Sequence, residues 1–325
     1  MNCWTYLEAG RQALAHEMRR DPLVWAVGED LGRGGVFGQY LGLAAEFGDE
    51  RIADAPISEA CIMGAAVGAA MMGSRPVVEM RFSDFALCAT DELINQAAKA
   101  RFMFGGQARV PLVARLPIGM WRSSAAQHSQ SLEAWYAHIP GLVVVCPATP
   151  ADNFGLLKSA IRADDPVVYM EHKGLWTLEG EVPSDGDHVV AIGKARVARS
   201  GSDATLVTWS ATVQVAERAA AALATTGIDL EIIDLRTLWP WDKQCVLESV
   251  ARTRRFIVAH EAVAVGGFGA EIAATVAGRL HHQLAAPVAR LGAPRVPIGY
   301  APTLEDAVRV TDTQIAEAVT RLVRG

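Results

Sequence analysis

Hydrophobic positions along the chain fall into two alternating patterns. Short runs rich in Val, Ile and Leu recur at 23–29, 75–82, 110–116, 141–147, 166–172, 204–210, 230–236 and 255–261. Most are continuously apolar rather than alternating, the pattern of strands covered on both faces, as in a parallel sheet. Between them, helical spacing runs over 5–20, 58–72, 84–104, 150–163, 211–226, 267–282 and 303–323. This βαβα rhythm predicts an α/β fold. It breaks near 174–188, GLWTLEGEVPSDGDH, where turn formers and acids cluster and neither period survives. Two domains are expected, 1–187 and 188–325, with the boundary at about 185–190 and strands enough on each side for a sheet.

Composition narrows the class. The 325 residues exceed the usual size of one core, and 51% hydrophobic against 20% charged residues excludes a disordered chain. A net charge of −6, with no basic run of five, argues against nucleic acid or an anionic membrane as partner. The longest uncharged small-apolar stretch, 60–73, is too short for a bilayer span of roughly 20 residues. The start, MNCWTYLEAGRQALAHEMRRD, lacks the basic end and long apolar run of a secretory signal. Five scattered cysteines, odd in number and without a CxxC pair, read as reduced core thiols of a cytoplasmic protein.

Candidate chemistry begins at PISEACIMGAAVGAAMMG, 56–73. Ser58 suits a helix N-cap, and Glu59 then stands in the first turn, where the helix dipole favours an anion. The helix that follows is apolar on all faces and should be buried. Acids are enriched in first turns generally. A carboxyl at the edge of a dry interior, however, also suits proton exchange with a cofactor ring. His128, among the small polar residues of AAQHSQS, sits in a loop where it can act as donor or acceptor. No GxSxG elbow, HExxH or paired Cys/His set occurs, which excludes the familiar hydrolase and zinc signatures. The glycine-rich stretches at 31–38 and 265–277 lack the GxGxxG and P-loop spacings; the second opens a helix whose N-terminus can hold an anion, but both read as tight turns and close packing. Phe82, Phe85, Phe102 and Phe104 crowd one region and read first as core.

Several long stretches stand in an order that resembles a known family: GEDLGRGGVFG (28–38), ADAPISEACIMGAAVGAA (53–70), RFSDFALCATDELINQAAKARFMFGGQ (81–107), QHSQSLEAWYAHIPGLVVVCPATP (127–150), IDLRTLWPWD (233–242) and HEAVAVGGFGAEIA (260–273). The chain resembles the β subunits of the thiamine-diphosphate-dependent 2-oxo acid dehydrogenases, the pyruvate, branched-chain 2-oxo acid and acetoin dehydrogenases among them. The resemblance implies an N-terminal transketolase-type pyrimidine-binding domain with a parallel sheet and a C-terminal transketolase-type α/β domain. It implies a heterotetramer of two α and two β chains, with the α chain carrying the diphosphate and Mg2+. The Gly-Asp-Gly and Asn-Asn signature of that site is absent here; Gly28-Glu29-Asp30 and Asp185-Gly186-Asp187 do not fit it.

By the same resemblance Glu59 is the glutamate that activates the cofactor's aminopyrimidine. Phe85 packs on that ring, Asp84 helps fix the loop, and Glu29 is a further cofactor-facing candidate. His128 is the active-site histidine that donates to the substrate and helps pass the acyl group to lipoamide on an acyltransferase core. Residues 91–101 and the phenylalanines after them face the α chain. Leu112, Ala160, Ile161, Ala163 and Asp165 match the positions of a structural K+ site in some relatives. Met120 and Trp121 stand where relatives have a glycine-rich run before the histidine, are bulky for a loop lining a substrate channel, and are expected to narrow or reshape its entrance, which leaves the substrate open. Two other readings are weighed: a non-catalytic assembly subunit, opposed by Glu59 and His128, and a self-contained transketolase-like enzyme, opposed by the missing diphosphate signature.

Overall fold

The computed structural model describes residues 1–184 and 186–325; Asp185, and with it part of the Asp185-Gly186-Asp187 triplet and of the expected boundary, lies outside the described residues. The chain divides into two compact units, Met1–Ile118 with Trp135–Ile192, and Gly119–Ala134 with Gly193–Gly325. The segment that carries His128 thus clusters with the second unit.

The first unit holds strands β1 (Asn2–Thr5), β2 (Val24–Gly28), β3 (Ile52–Asp54), β4 (Arg75–Glu79), β5 (Val113–Arg115), β6 (Val143–Val145), β7 (Val167–Tyr169) and β8 (Glu179–Val182). Its longer helices are α1 (Tyr6–Arg20), α3 (Glu59–Met71) and α6 (Pro150–Arg162), with short α2 (Leu43–Phe47), α4 (Ala98–Met103) and the last three residues of α5 (Glu133–Ala137). The parallel strands lie in the order β6-β7-β5-β4-β2-β3, while β1 and β8 form a separate antiparallel pair. Helix α1 starts where Thr5 Oγ1 accepts from the Glu8 N–H (3.1 Å), and α6 where Thr149 Oγ1 accepts from the Asp152 N–H (3.1 Å). Each such cap contributes about 1 kcal/mol. The two helices pack on one another, burying Ala9, Ala13 and Leu14 in one core with Phe154, Leu157 and Ile161. Glu17, at the end of that face, is buried but paired with Arg162 (2.6 Å) and Arg20 (2.8 Å).

The second unit holds β9 (Arg196–Arg199), β10 (Ala204–Thr208), β11 (Leu230–Asp234), β12 (Thr237–Trp239), β13 (Phe256–Val263) and β14 (Ala289–Ala293). Its helices are α7 (Thr212–Ala224), α8 (Lys243–Thr253), α9 (Gly269–Leu280), α10 (Pro302–Val308) and α11 (Asp312–Arg324). The sheet order is β14-β13-β10-β11-β9, parallel except for the edge strand β9. Leu206, Ile232 and Ile257 from its strands and Ala216, Leu223, Ile315 and Val319 from α7 and α11 make its core.

Five sequence expectations are corrected here. The stretch 174–188 contains β8, whose mixed Glu-Gly-Glu-Val pattern needs only a backbone partner, β1, to pair. The helix expected over 84–104 is three pieces: a 3-10 turn (Phe85–Ala89), a π-helical turn (Asp91–Ala97) and α4. Apolar spacing reports a face, not a pitch. The helix expected over 303–323 is α10 and α11, because Thr311 and Gln314 form a capping box that starts a new helix. Helix α3 is buried on one face only: Ile62, Met63, Ala66, Val67 and Ala70 are inside, whereas Cys61, Ala65, Gly68 and Met72 are exposed in the single chain. The cysteines are free but not all core, since Cys3, Cys61 and Cys88 are exposed and only Cys146 is buried. No helix among the described residues is long and apolar enough to cross a membrane.

Candidate functional site

In the first unit the chain passes from β2 to β3 on one side and then to β4 on the other, so the direction of strand order reverses between β2 and β4. Ligands of open α/β sheets bind beyond the carboxyl ends of the strands at such a switch point. Three of the residues singled out from the sequence stand at that edge. Glu29 follows β2, Phe85 opens the 3-10 turn after β4, and Glu59 is the first residue of α3, which follows β3. Helix α3 packs against β4 and against the turn that carries Phe85, bringing Glu59's helix and Phe85's turn together.

Their surroundings differ. Glu29 is buried, and Arg81 Nη1 donates to it at 2.9 Å while Arg81 Nη2 stands 3.6 Å from Asp30. Arg81 holds a left-handed backbone (φ 53°), a conformation a non-glycine residue keeps only when its contacts fix it. Glu59 is half-buried, and its carboxylate has no hydrogen-bond or ion-pair partner among the described residues. Ser58 does not cap α3 with its hydroxyl as expected; its Oγ donates to the Pro56 carbonyl at 2.8 Å. Phe85 meets Phe82 edge-on (5.2 Å between centroids), and Phe82 meets Phe37 likewise (5.8 Å). Phe102 and Phe104 do not join them and are exposed, against the expectation of core. Asp84 is buried and raises the Tyr136 phenol further above its usual range, beyond the larger effect of burial.

Behind this edge lies an ionic cluster that the sequence reading missed. Arg115, at the end of β5, is fully buried and donates through Nε (2.8 Å) to Glu171, just past β7. Glu79, at the end of β4, is 3.8 Å from Arg115 and accepts from the Tyr40 hydroxyl at 3.1 Å. Burial pushes the Glu79 carboxyl up to about 7, against the pull of Arg115 and with the push of Glu171. Gly28 lies beside Glu79 in register, and a Cβ there would sit 2.7 Å from the Glu79 carbonyl oxygen. Lys173 is also buried, its Nζ 4.6 Å from the centre of the Phe82 ring. A signal existed: in VVE, VAR and VVYME a charged residue closes an apolar run, and a charge at the end of a buried strand needs a partner.

In the second unit, His128 stands half-exposed in a loop of unusual backbone: φ is positive at Gly119, Arg122, Ser123 and Ala125. The His128 N–H donates to the Ala125 carbonyl (3.5 Å). Of the two bulky residues before it, Met120 is buried, and Trp121 is half-buried with the Arg122 guanidinium 4.7 Å from its ring centre. After the loop, Glu133 accepts from Trp209 Nε1 at 3.1 Å, and Trp209 stacks on His260 (5.1 Å, 20°). His260 Nδ1 donates to the Ala262 carbonyl at 3.0 Å, and burial pushes the imidazole down to about 4, so it is neutral. A Cβ on Gly267 or Gly269 would lie 2.7 Å from this ring. Gly267 and Gly269 are therefore close-packing residues around His260, whereas Gly266 is a turn glycine with φ 72° and open space where a Cβ would stand.

The five positions matched to a K+ site are engaged by protein groups. The Ile161 and Ala163 carbonyls accept from Arg75 Nη1 at 3.0 and 2.9 Å, the Leu112 carbonyl accepts from the Val167 N–H, and the Ala160 carbonyl from the Ala163 N–H. Asp165 pairs with Arg101. Two of these carbonyls, those of Ile161 and Ala163, thus face a cation of the chain itself.

Residues 4–177 match the family model of the transketolase pyrimidine-binding domain, and residues 193–315 that of the transketolase C-terminal domain. The chain is 45% identical over 325 residues to the β subunit of the acetoin:2,6-dichlorophenolindophenol oxidoreductase of Cupriavidus necator, covering 97% of this chain and 96% of that one. It is 41% identical to the 2-oxoisovalerate dehydrogenase β subunit of Bacillus subtilis, covering 99% of each chain. It is 44% identical to the pyruvate dehydrogenase E1 component β subunit of Rhizobium meliloti, covering 98% of this chain and 70% of that one. Among solved structures, a split-gene transketolase described as an inactive β4 tetramer shares the fold, with a TM-score of 0.78 at 22% identity over 98% of both chains. Both transketolase-type domains and full-length identity of this degree place the chain in the family of β subunits of the thiamine-diphosphate-dependent 2-oxo acid and acetoin dehydrogenases.

Proposed function

We infer that this chain supplies the pyrimidine-side half of a thiamine-diphosphate site, in an enzyme that decarboxylates a 2-oxo acid or cleaves acetoin or a related diketone and passes the acyl group to lipoamide. The observation that carries this reading is Glu59: a half-buried carboxyl without an internal partner, at the head of α3 beyond the carboxyl edge of the sheet. The residues around it suit the pyrimidine end of the cofactor, with an apolar aromatic wall of Phe82 and Phe85 and an acid left free to meet a ring nitrogen. The phosphate end has no counterpart in the sequence and is assigned, with Mg2+, to an α chain. When bound, thiamine diphosphate supplies a nucleophilic carbon and an electron sink for the carbanion chemistry.

The chain's own residues then have separate tasks. Glu59 would hold the pyrimidine ring nitrogen of the cofactor through a hydrogen bond from its carboxyl. Phe85, backed edge-on by Phe82, keeps water from that face of the ring. Glu29, fixed by Arg81, keeps a second acid oriented at the same edge. His128 donates a hydrogen bond to the oxygen of the substrate's reacting carbonyl. The exposed Phe102, Met103 and Phe104, with the open face of α3, are the apolar surface that the α chain covers in a tetramer of two α and two β chains. An acyltransferase core accepts the product, and the free cysteines suit the reducing cytoplasm in which such a complex would work. A structural K+ at the positions of Leu112, Ala160, Ile161, Ala163 and Asp165 would share the Ile161 and Ala163 carbonyls with Arg75, each carbonyl oxygen having a second lone pair.

The relatives named above act on acetoin, pyruvate and 2-oxoisovalerate at 45%, 44% and 41% identity, so identity does not choose among the substrates. The test is reconstitution with the α chain and a panel of pyruvate, branched-chain 2-oxo acids and acetoin, read with an artificial electron acceptor. One substrate class should turn over, and Glu59→Gln should slow it by about 100-fold or more while thiamine diphosphate still binds. Silence across the panel, or undiminished turnover by E59Q, overturns the reading.

A further inference from the structure

The loop at 119–131 is held in an unfavourable backbone and is tied at both ends to one side chain. Arg122, Ser123 and Ala125 all have left-handed φ, at 49°, 56° and 62°, just before His128. Non-glycine residues keep such a backbone only where their surroundings over-determine it. Part of the constraint is local, since the Gly119 N–H reaches the Gln130 carbonyl at 3.5 Å and draws the ends together. The stronger constraint is Glu261 on β13. Its Oε1 accepts from the Met120 N–H at 2.8 Å, where the loop begins, and from the Ser131 hydroxyl at 3.3 Å, where it ends.

Glu261 is itself anchored. Its Oε2 lies 3.9 Å from Arg309 Nη1, and Arg309 also pairs with Glu305 and, at 3.2 Å, with Asp306 on α10. Successive strand residues face opposite sides. His260 is thereby committed to its buried stack with Trp209, and Glu261 to the loop. A carboxylate that accepts two hydrogen bonds with one oxygen and faces a guanidinium with the other is a rigid, charge-assisted staple.

We propose that Glu261 is a positioning residue for His128: it closes residues 119–131 into one strained form and so sets where the imidazole stands, without touching substrate. This rests on the reading of His128 as the substrate-facing donor. It assigns a role to a residue far from the catalytic pair in sequence and on a different structural element.

The test uses the full chain, alone for hydrogen exchange and with its α chain for kinetics. Glu261→Ala should raise amide exchange across 119–131 by about tenfold or more, while peptides of β10 and α7 keep their protection. Glu261→Gln retains an acceptor oxygen and should rescue most of that protection. In the assembled enzyme E261A should lower kcat by about tenfold with little change in KM, and E261A/H128A should be no slower than H128A, because both changes remove one effect. Unchanged loop exchange in E261A, or losses that simply add in the double variant, overturns the proposal, as does a general rise in exchange that includes β10 and α7. Full activity of H128A would instead remove the histidine's assigned role, and loop exchange would still decide whether Glu261 staples the loop.

Discussion

Arg115 and Glu171 form a two-point ion pair inside the first unit, with Nε 2.8 Å and Nη2 2.6 Å from the same carboxylate oxygen and both side chains out of water. Asn153 Nδ2 donates to the other oxygen at 3.0 Å, so Glu171 is satisfied on both sides. The pair sits at the carboxyl ends of neighbouring parallel strands, where sheet register alone brings β5 beside β7. Arg115→Met removes the cation that faces two buried acids, Glu171 at 2.6 Å and Glu79 at 3.8 Å. The expected cost is about 3–5 kcal/mol, seen as a lower urea midpoint for unfolding of the first unit. A midpoint that does not move would show the pair to be dispensable.

Glu79 gives a pH dependence with a definite sign. Burial raises its folded-state value from 4.5 to about 7, so between these values the folded chain holds a proton that the unfolded chain releases. The contribution of this group to stability therefore falls as pH rises from 4.5 to about 7, and stays at its low level above that. Glu79→Gln should remove this slope and leave the variant relatively more stable at about pH 8 than at about pH 5, as urea titrations at both would show. A variant with an unaltered slope would assign the titration elsewhere.

His260 works in the opposite direction in the second unit. Its buried imidazole is held down at about 4 against 6.5 in the unfolded chain. The unfolded chain takes up the proton first, so stability falls as pH drops from 6.5 toward about 4. His260→Gln should flatten that acid limb when unfolding of the second unit is followed by Trp209 fluorescence.

Gly269 tests the packing of the same ring. A methyl group there would lie 2.7 Å from His260 Cδ2 and Nε2, and Trp209 stacks on the imidazole. Gly269→Ala should cost about 1–3 kcal/mol by over-packing, read as a lower Tm. The same change at Gly278, where a Cβ would meet nothing within 4 Å, should cost nothing and serves as the control.

Arg75 predicts the cation behaviour of the first unit. Its guanidinium donates to the Ile161 and Ala163 carbonyls and pairs with Asp164 at 3.1 Å. Arg75→Ala should lower stability by about 1–3 kcal/mol, because the carbonyls lose their donors. Exchanging sodium for potassium should leave the Tm of the unaltered chain unmoved; a clear potassium-specific rise would mean that the ion competes for these carbonyls after all.

Local pattern and chemistry were available before any coordinates. Continuous Val and Ile runs announced buried parallel strands, because a strand covered on both faces has no polar side to show. Glu59 and His128 stood out because a lone acid before a long apolar helix, or a histidine in a small polar loop, is locally unusual. Elements without such contrast escaped: α8 has a mostly polar surface, and the edge strands β1, β8 and β9 need only one partner each. The order of strands is what places β2, β3 and β4 side by side, and so puts Glu29, Glu59 and Phe85 at one edge; nothing within any of those segments encodes it. Tertiary structure alone decided that Arg115 meets Glu171, that Arg75 fills the carbonyls after α6, and that residues 119–134 join the second unit with Glu261 at both ends of the loop. A sequence states which side chains need a partner, since burial of a charge or a carbonyl without one is costly everywhere; which partner answers depends on close approach between residues distant in the chain, and only the folded backbone sets those distances.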